Sequence, residues 1–172
     1  PGRCARASPG GSPERRASGD AAVEEGEFWE SLNFACLHGL RVVFVCEENN
    51  LAIHTFGANR RGYKDQSIAT AVRGFDCHVF EGDGTDVRNV IEITKNAIKD
   101  MDRDPKPAFL YLRYFRFLEH VGPNTDFHVG YRPTPTDAEL EAQDPLLNFE
   151  KFLATQEIDE AQLNSIREEV GS

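Results

Sequence analysis

The stretch "SGDAAVEEGEFWESLNFACLHGLRVVFVCEENNLAIHT", residues 18–55, sets the reading of the whole chain. Glu24 to His38 reads as a helix. Acidic residues open it, Phe28, Leu32, Ala35 and Cys36 share one side, and Gly39 ends it. "RVVFVC" (41–46) is continuous, apolar and β-branched, the pattern of a strand buried on both faces. It runs directly into Asn49 and Asn50. Asp20 and these asparagines therefore stand at two places where the chain turns past a strand edge.

Outward from this stretch the same grammar repeats. "DQSIATAVR" (65–73) is a short helix stopped by Gly74, and "CHVFEG" (77–82) is a second strand. Asp86 to Met101 is amphipathic, with Val87, Val90, Ile91, Thr94, Ile98 and Met101 at helical spacing and Asp86 as N-cap. "AFLYLRYF" (108–115) is a third strand. Strands alternating with helices predict an α/β fold with a parallel sheet flanked by helices. The tail is expected to be helical. Thr136 and Glu139 form a capping box, Asp144-Pro145 places an N-cap before a first-turn proline, and Asp159 with Gln162 repeats the capping pattern. No internal repeat is visible.

The 172 residues suffice for one domain with a real core, and 40% apolar with 28% charged residues is ordinary for a soluble globular protein. A net charge of −10 argues against a nucleic-acid or anionic-membrane surface. The longest apolar run, Val42 to Cys46, is too short to span a bilayer, and no signal-peptide core is visible. Cys4, Cys36, Cys46 and Cys77 form no CxxC pair and no zinc spacing. Cys36 and Cys46 sit among apolar residues, and buried free thiols in a reducing, cytoplasmic compartment are the simplest expectation for them.

Residues 1–18, "PGRCARASPGGSPERRAS", have a different texture, with three prolines, four arginines, three glycines and no aliphatic residue larger than alanine. They are expected to be a disordered leader that does not match the domain of residues 19–172. The chain begins at Pro1 and its only methionine is Met101, which suggests a fragment or a segment joined or read in the wrong frame.

In open α/β sheets, ligands bind beyond the carboxyl ends of the strands. If a strand precedes Gly19, then Asp20 and Asn49 sit at adjacent strand ends. A carboxylate and an amide oxygen there are hard ligands, suited to Mg²⁺ bridging to a diphosphate. Free N–H groups at the helix start would favour the phosphates, and the small Gly19, Ala21 and Ala22 would let them approach. A helix cap at Asp20 and a turn at the asparagines account for the same residues without a metal.

"GDAAVEEG" followed by a segment ending in "CEENN" is similar to the thiamine-diphosphate motif. More narrowly, with "ESLNFACLHGL", "LAIHT", "VFEGDGTDV", "LRYFRFLEH" and "GYR" in order over residues 19–170, the chain resembles the alpha subunit of the 2-oxoacid dehydrogenase decarboxylating component. That family comprises the pyruvate, branched-chain and acetoin dehydrogenases. The resemblance implies the C-terminal half of a thiamine-diphosphate-binding fold and an oxidoreductase that decarboxylates a 2-oxo acid, or cleaves a ketone such as acetoin, with acyl transfer to a lipoyl group. It implies thiamine diphosphate and Mg²⁺ as cofactors. As partners it implies a beta subunit in a heterotetramer and a lipoyl-bearing acyltransferase.

Residue by residue, the resemblance makes Asp20 and Asn49 metal ligands and Leu51 a backbone-carbonyl ligand. A slip of one would choose Asn50 in place of Asn49. Gly19, Ala21 and Ala22 fall on the cofactor-binding turn, with Ala21 standing where the motif has glycine. His120 falls on the second histidine of a loop that closes over the diphosphate and substrate, a catalytic position. Val121 stands where some relatives carry a phosphorylatable serine, so regulation at that point is not expected. Arg116, Asp126 and Arg132 read either as loop-ordering charges or as solvated surface.

Other readings remain. A remnant or interaction module would keep the fold without catalysis. A response-regulator-like phosphate-binding domain would need an acidic pair after its first strand and a lysine at a late strand end, and neither is seen. In the family an apolar strand leads into Gly-Asp, whereas "GSPERRAS" (11–18) occupies that place here. The sequence therefore predicts no strand beneath Asp20, an exposed sheet edge and an unpartnered Phe28–Trp29 patch. It also predicts weak cofactor binding by the chain alone.

Overall fold

The computed structural model describes residues 14–156 and 158–171. In chain order the strands are β1 (Glu14–Gly19), β2 (Val42–Glu48), β3 (Leu51–Ala52), β4 (Thr55–Phe56), β5 (His78–Asp83) and β6 (Ala108–Arg113). The helices are α1 (Asp20–Val23), α2 (Gly26–His38), α3 (Ile68–Val72), α4 (Val87–Arg103), α5 (Asp137–Gln143), α6 (Pro145–Ala154) and α7 (Glu160–Gly171). Four strands form one parallel sheet in the order β1-β2-β6-β5, and β3 and β4 make a small antiparallel hairpin.

Side-chain alternation splits the core in two. Phe44, Cys46, Phe109 and Tyr111 face α2 and α3, where Leu32, Ala35, Ile68, Ala69 and Val72 meet them. Val43, Ala108, Leu110 and Leu112 face Ile93, Ala97 and Met101 of α4. A parallel sheet covered by helices on both sides needs apolar residues on both faces of its strands, which is why β2 and β6 read as continuous apolar runs. Phe109 and Leu32 are fully buried, and each contributes about 1.5–3 kcal/mol of transfer free energy.

Local signals set the element ends. Gly39 caps α2 in the left-handed conformation (φ 59°, ψ 42°), and a Cβ there would meet the Pro105 carbonyl at 3.0 Å. The Asp86 carboxylate accepts from the Arg88 N–H to open α4. The capping box at Thr136 and Glu139, the Asp144 cap on Leu146 and Leu147, and the reciprocal Asp159–Gln162 bonds are all formed. The tail docks on α4 through the Arg88 guanidinium, 4.1 Å from the Phe152 ring centre.

Three expectations are corrected. The segment before Gly19 does form a strand. β1 pairs with β2 from Glu14↔Val42 to Gly19↔Glu47, so Asp20 stands at the end of a strand beside β2. In the described sheet β1 has one neighbouring strand, and its backbone makes the ladder while Arg16 and Ala17 stay exposed, so no apolar run is needed. Residues 1–13 lie outside the described residues. The helix expected from Glu24 is broken instead, with α1 ending at Val23 and α2 starting at Gly26 after an extended Glu25. The Phe28–Trp29 patch is partnered. Phe28 packs edge-on to Phe44 at 5.7 Å, and Trp29 stacks on Phe75 and meets Tyr63.

Candidate functional site

The carboxyl ends of β1 and β2 carry a buried charge cluster. Asp20, the first residue of α1, is 1% exposed, and its side chain caps nothing. Its Oδ2 accepts hydrogen bonds from Arg60 Nη2 at 2.5 Å and from Arg61 Nη2 at 2.5 Å. Both arginines follow the short 3-10 turn Gly57–Asn59, just after the β3–β4 hairpin. Arg61 Nε also donates to Glu24 at 2.5 Å, Arg61 Nη1 pairs with Glu48 at 2.8 Å, and Arg60 pairs with Glu24. Glu48, at the end of β2, accepts from the buried Tyr111 hydroxyl of β6 at 2.7 Å. Asp20, Glu24 and Glu48 thus share the guanidinia of Arg60 and Arg61.

Burial and the neighbouring Glu48 carboxylate push the Asp20 acid above its ordinary value, against the pull of both arginines. Burial disfavours the charged Arg61, but its bonds to Glu48 and Glu24 outweigh that and hold its proton more firmly than usual. Burial and the Glu48 acceptor likewise raise the Tyr111 hydroxyl. The same burial, with Glu48 nearby, raises the Cys46 thiol, which is inert packing in β2.

The asparagines form a turn. Asn49 Oδ1 accepts from the Leu51 N–H at 3.0 Å, and Asn49 Nδ2 donates to the Tyr114 hydroxyl at 2.7 Å. Asn50 adopts φ 65°, and its Oδ1 accepts from the Gly57 N–H at 3.0 Å. A Cβ on Gly57 would fall 2.5 Å from Asn50 Oδ1 and 2.9 Å from Arg61 Cζ, so Gly57 lets Asn50 and the arginine approach. Through Gly57 it is Asn50 that borders the charge cluster, whereas the amide of Asn49 turns to Tyr114. Leu51 is buried. Ala21 is outside the positive-φ region, so its methyl is tolerated where the motif has glycine, and the space above Gly19 is open.

His120 lies elsewhere. It is exposed on the loop after β6 and shares no hydrogen bond or ion pair with the Asp20 cluster among the described residues. That loop is held by a second buried cluster, which supports the loop-ordering reading of Arg116, Asp126 and Arg132. Asp126, 2% exposed, accepts from Arg116 at 2.8 Å, from Arg132 at 2.5 Å and from the Tyr131 hydroxyl. Burial would raise its acid, but the bonds from Tyr131 and Arg132 outweigh that and hold it at about 2. Arg116 also donates to the Ile53 carbonyl at 2.9 Å, and His54 stacks on Tyr131 at 4.3 Å, so the loop is tied to the β3–β4 hairpin. A cleft of about 570 Å³ lies beside this loop, lined by Thr85, Leu112, Tyr114, Phe115, Leu118 and Pro145 among others.

The oxygens of Asp20, of the asparagine amides and of the Leu51 backbone suit a hard divalent cation in kind. A cation reaching Asp20 Oδ2 meets the two guanidinia already there. Among the described residues no group of three or more His, Cys, Asp or Glu is arranged to hold a metal ion.

Residues 16–172 match the family model described as the dehydrogenase E1 component. This chain belongs to the dehydrogenase E1 component family. It is 30% identical over 139 residues to the pyruvate dehydrogenase E1 component subunit alpha of Staphylococcus aureus (strain Mu50 / ATCC 700699), covering 79% of this chain and 36% of that protein. It is also 30% identical over 153 residues to the pyruvate dehydrogenase E1 component subunit alpha-3, chloroplastic, of Arabidopsis thaliana, covering 88% of this chain and 35% of that one. The E1 chain therefore spans about a third of the length of these curated relatives. Among solved structures it is similar to a transketolase mutant (H261F) from Pichia stipitis, with TM-score 0.47 and 19% identity, over 60% of this chain and 15% of that one. No helix among the described residues is long and apolar enough to cross a membrane.

Sequence reasoning singled out Asp20 in this E1 chain but missed Glu48, Arg60, Arg61 and Tyr111 as its surroundings. The adjacent Arg60-Arg61 pair, just before Gly62, was the one visible signal. Nothing local in the sequence says which acid such a pair will meet.

Proposed function

We propose that the whole protein is a thiamine-diphosphate- and Mg²⁺-dependent dehydrogenase alpha subunit. It oxidatively decarboxylates a 2-oxo acid, or cleaves a related ketone such as acetoin, and passes the acyl group to the lipoyl group of an acyltransferase. Its beta subunit completes a heterotetramer and supplies the acid that activates the cofactor. The observation that carries this reading is the family match over residues 16–172, whose Gly-Asp pair lies at the carboxyl end of β1 beside β2. Thiamine diphosphate, when bound, supplies the carbanion-stabilising chemistry.

This chain's own part is anchoring. Asp20, the Asn49 amide oxygen and the Leu51 carbonyl hold the cation, with Asn50 as the alternative that borders the Asp20 cluster. Gly19, Ala21 and Ala22 leave the turn open for phosphate oxygens. His120, on a loop braced by Asp126, meets the diphosphate or the charge that develops on the substrate. A non-enzymatic remnant is the second reading, favoured by the arginines that sit on Asp20.

The test is turnover by the whole protein co-expressed with its beta subunit. Reduction of an artificial electron acceptor should depend on one of a panel of 2-oxo acids. Asp20→Asn should lower it by roughly a hundredfold or more, the scale expected for losing an anchoring charge. No turnover with any member of the panel would refute the enzymatic reading.

A further inference from the structure

We propose that Arg60 and Arg61 are a removable internal counter-ion for Asp20, holding its carboxylate in the ligand-free protein and leaving it before a divalent cation binds there. The inference rests on the reading of Asp20 as the cation ligand and adds to it the residues that control access.

Charge supports an exchange. Asp20, Glu24 and Glu48 carry three formal negative charges against the two positive charges of the arginines, so the cluster keeps an attraction for a further cation. Geometry supports it too. Both guanidinia converge on one oxygen, Asp20 Oδ2, at 2.5 Å each. A cation that took that oxygen would stand beside two guanidinia, which repel it.

Release does not strand the arginines. Arg60 keeps its pair with Glu24, and Arg61 keeps Glu24 at 2.5 Å and Glu48 at 2.8 Å. Each arginine therefore has another acid beside it once Asp20 is released. The segment that carries them is not part of the sheet. It lies between the 3-10 turns Gly57–Asn59 and Lys64–Gln66, outside the ladder of β1, β2, β5 and β6. Asp65 and Gln66 are held at φ 59° and 53°, the left-handed region that non-glycine residues rarely adopt. Arg61 is buried, so it is not a solvated bystander.

The experiment is a Mn²⁺ titration of the purified chain, followed by the electron paramagnetic resonance signal of the free ion, with folding checked by circular dichroism. The wild-type chain should bind weakly. Arg60→Gln, which leaves Arg61 to satisfy the buried acids, should bind roughly tenfold or more tightly, the scale of one competing charge-assisted bond removed. Adding Asp20→Asn should abolish that gain. Arg60→Gln binding no better than wild type, including no binding by either, overturns the counter-ion role alone. Binding that is unchanged by Asp20→Asn overturns the reading of Asp20 as the ligand and the gate with it.

A second measurement needs no arginine variant. In the wild-type chain, saturating Mg²⁺ should shift the ¹⁵N side-chain signals of Arg60 and Arg61 and leave those of Arg116 and Arg132 unmoved. Asp20-dependent cation binding with both gate signals unmoved would also overturn the proposal.

Discussion

Two carboxylates in this molecule, Asp20 and Asp126, are each buried between a pair of arginines, and the surroundings of each pair set them apart. Asp126 takes bonds from Arg116, Arg132 and the Tyr131 hydroxyl, and among the described residues no second acid pairs with those arginines. Its acid is held at about 2. Asp20 must share Arg60 and Arg61 with Glu24 and Glu48, and burial with the Glu48 charge wins, so its acid is raised. Equal numbers of arginines thus give opposite outcomes, because burial and the Glu48 charge outweigh the arginines at Asp20, whereas the bonds from Tyr131 and Arg132 outweigh burial at Asp126. A neutralised, fully bonded carboxylate is a lock for a loop. An over-subscribed one at the end of a strand is ready to exchange partners.

The largest expected effect breaks the two sites apart by stability. Asp126→Asn leaves Arg116 and Arg132 without their carboxylate and should cost about 3 kcal/mol in urea denaturation. Asp20→Asn removes one of three competing acids and leaves the arginines paired, so it should cost only about 1 kcal/mol or less. Equal losses would remove the distinction between lock and exchangeable site.

Acid sharpens the comparison. The folded value of Asp126, about 2, lies below its ordinary 3.8. Its contribution is therefore present above pH 4 and is lost as the pH falls through the folded value. About 2 kcal/mol should disappear between pH 5 and pH 2, and Asp126→Asn should remove that portion of the acid sensitivity. For Asp20 the sign reverses. A carboxyl group raised on folding adds stability when protonated and loses it as the pH rises through its folded value. The stability of wild type relative to Asp20→Asn should therefore fall as the pH rises from acid toward neutral. The opposite trend would place Asp20 with Asp126.

A smaller effect tests the wall of the Asp20 cluster. Tyr111→Phe removes one donor to Glu48 while Arg61 stays on it, and should cost about 1.5 kcal/mol. A neutral result would mean that Glu48 relies on Arg61 alone.

What could be read from the chain follows the range of the forces involved. The sequence by itself determined α4 with its Asp86 cap, the Gly39 stop of α2, the capping box at Thr136 and the apolar strands β2 and β6. Each depends on residues within a turn of one another, or on a strand buried on both faces. It also placed the asparagines just past the carboxyl end of β2.

Only the tertiary structure decided β1, because a charged segment at the edge of the described sheet gains its hydrogen bonds from β2 and carries no apolar pattern of its own. Only the tertiary structure brought Arg60 and Arg61 onto Asp20, and Arg116 and Arg132 onto Asp126. A buried charge must find its opposite somewhere in the fold, and the separation between Asp20 and Arg61 leaves no periodic trace in the sequence.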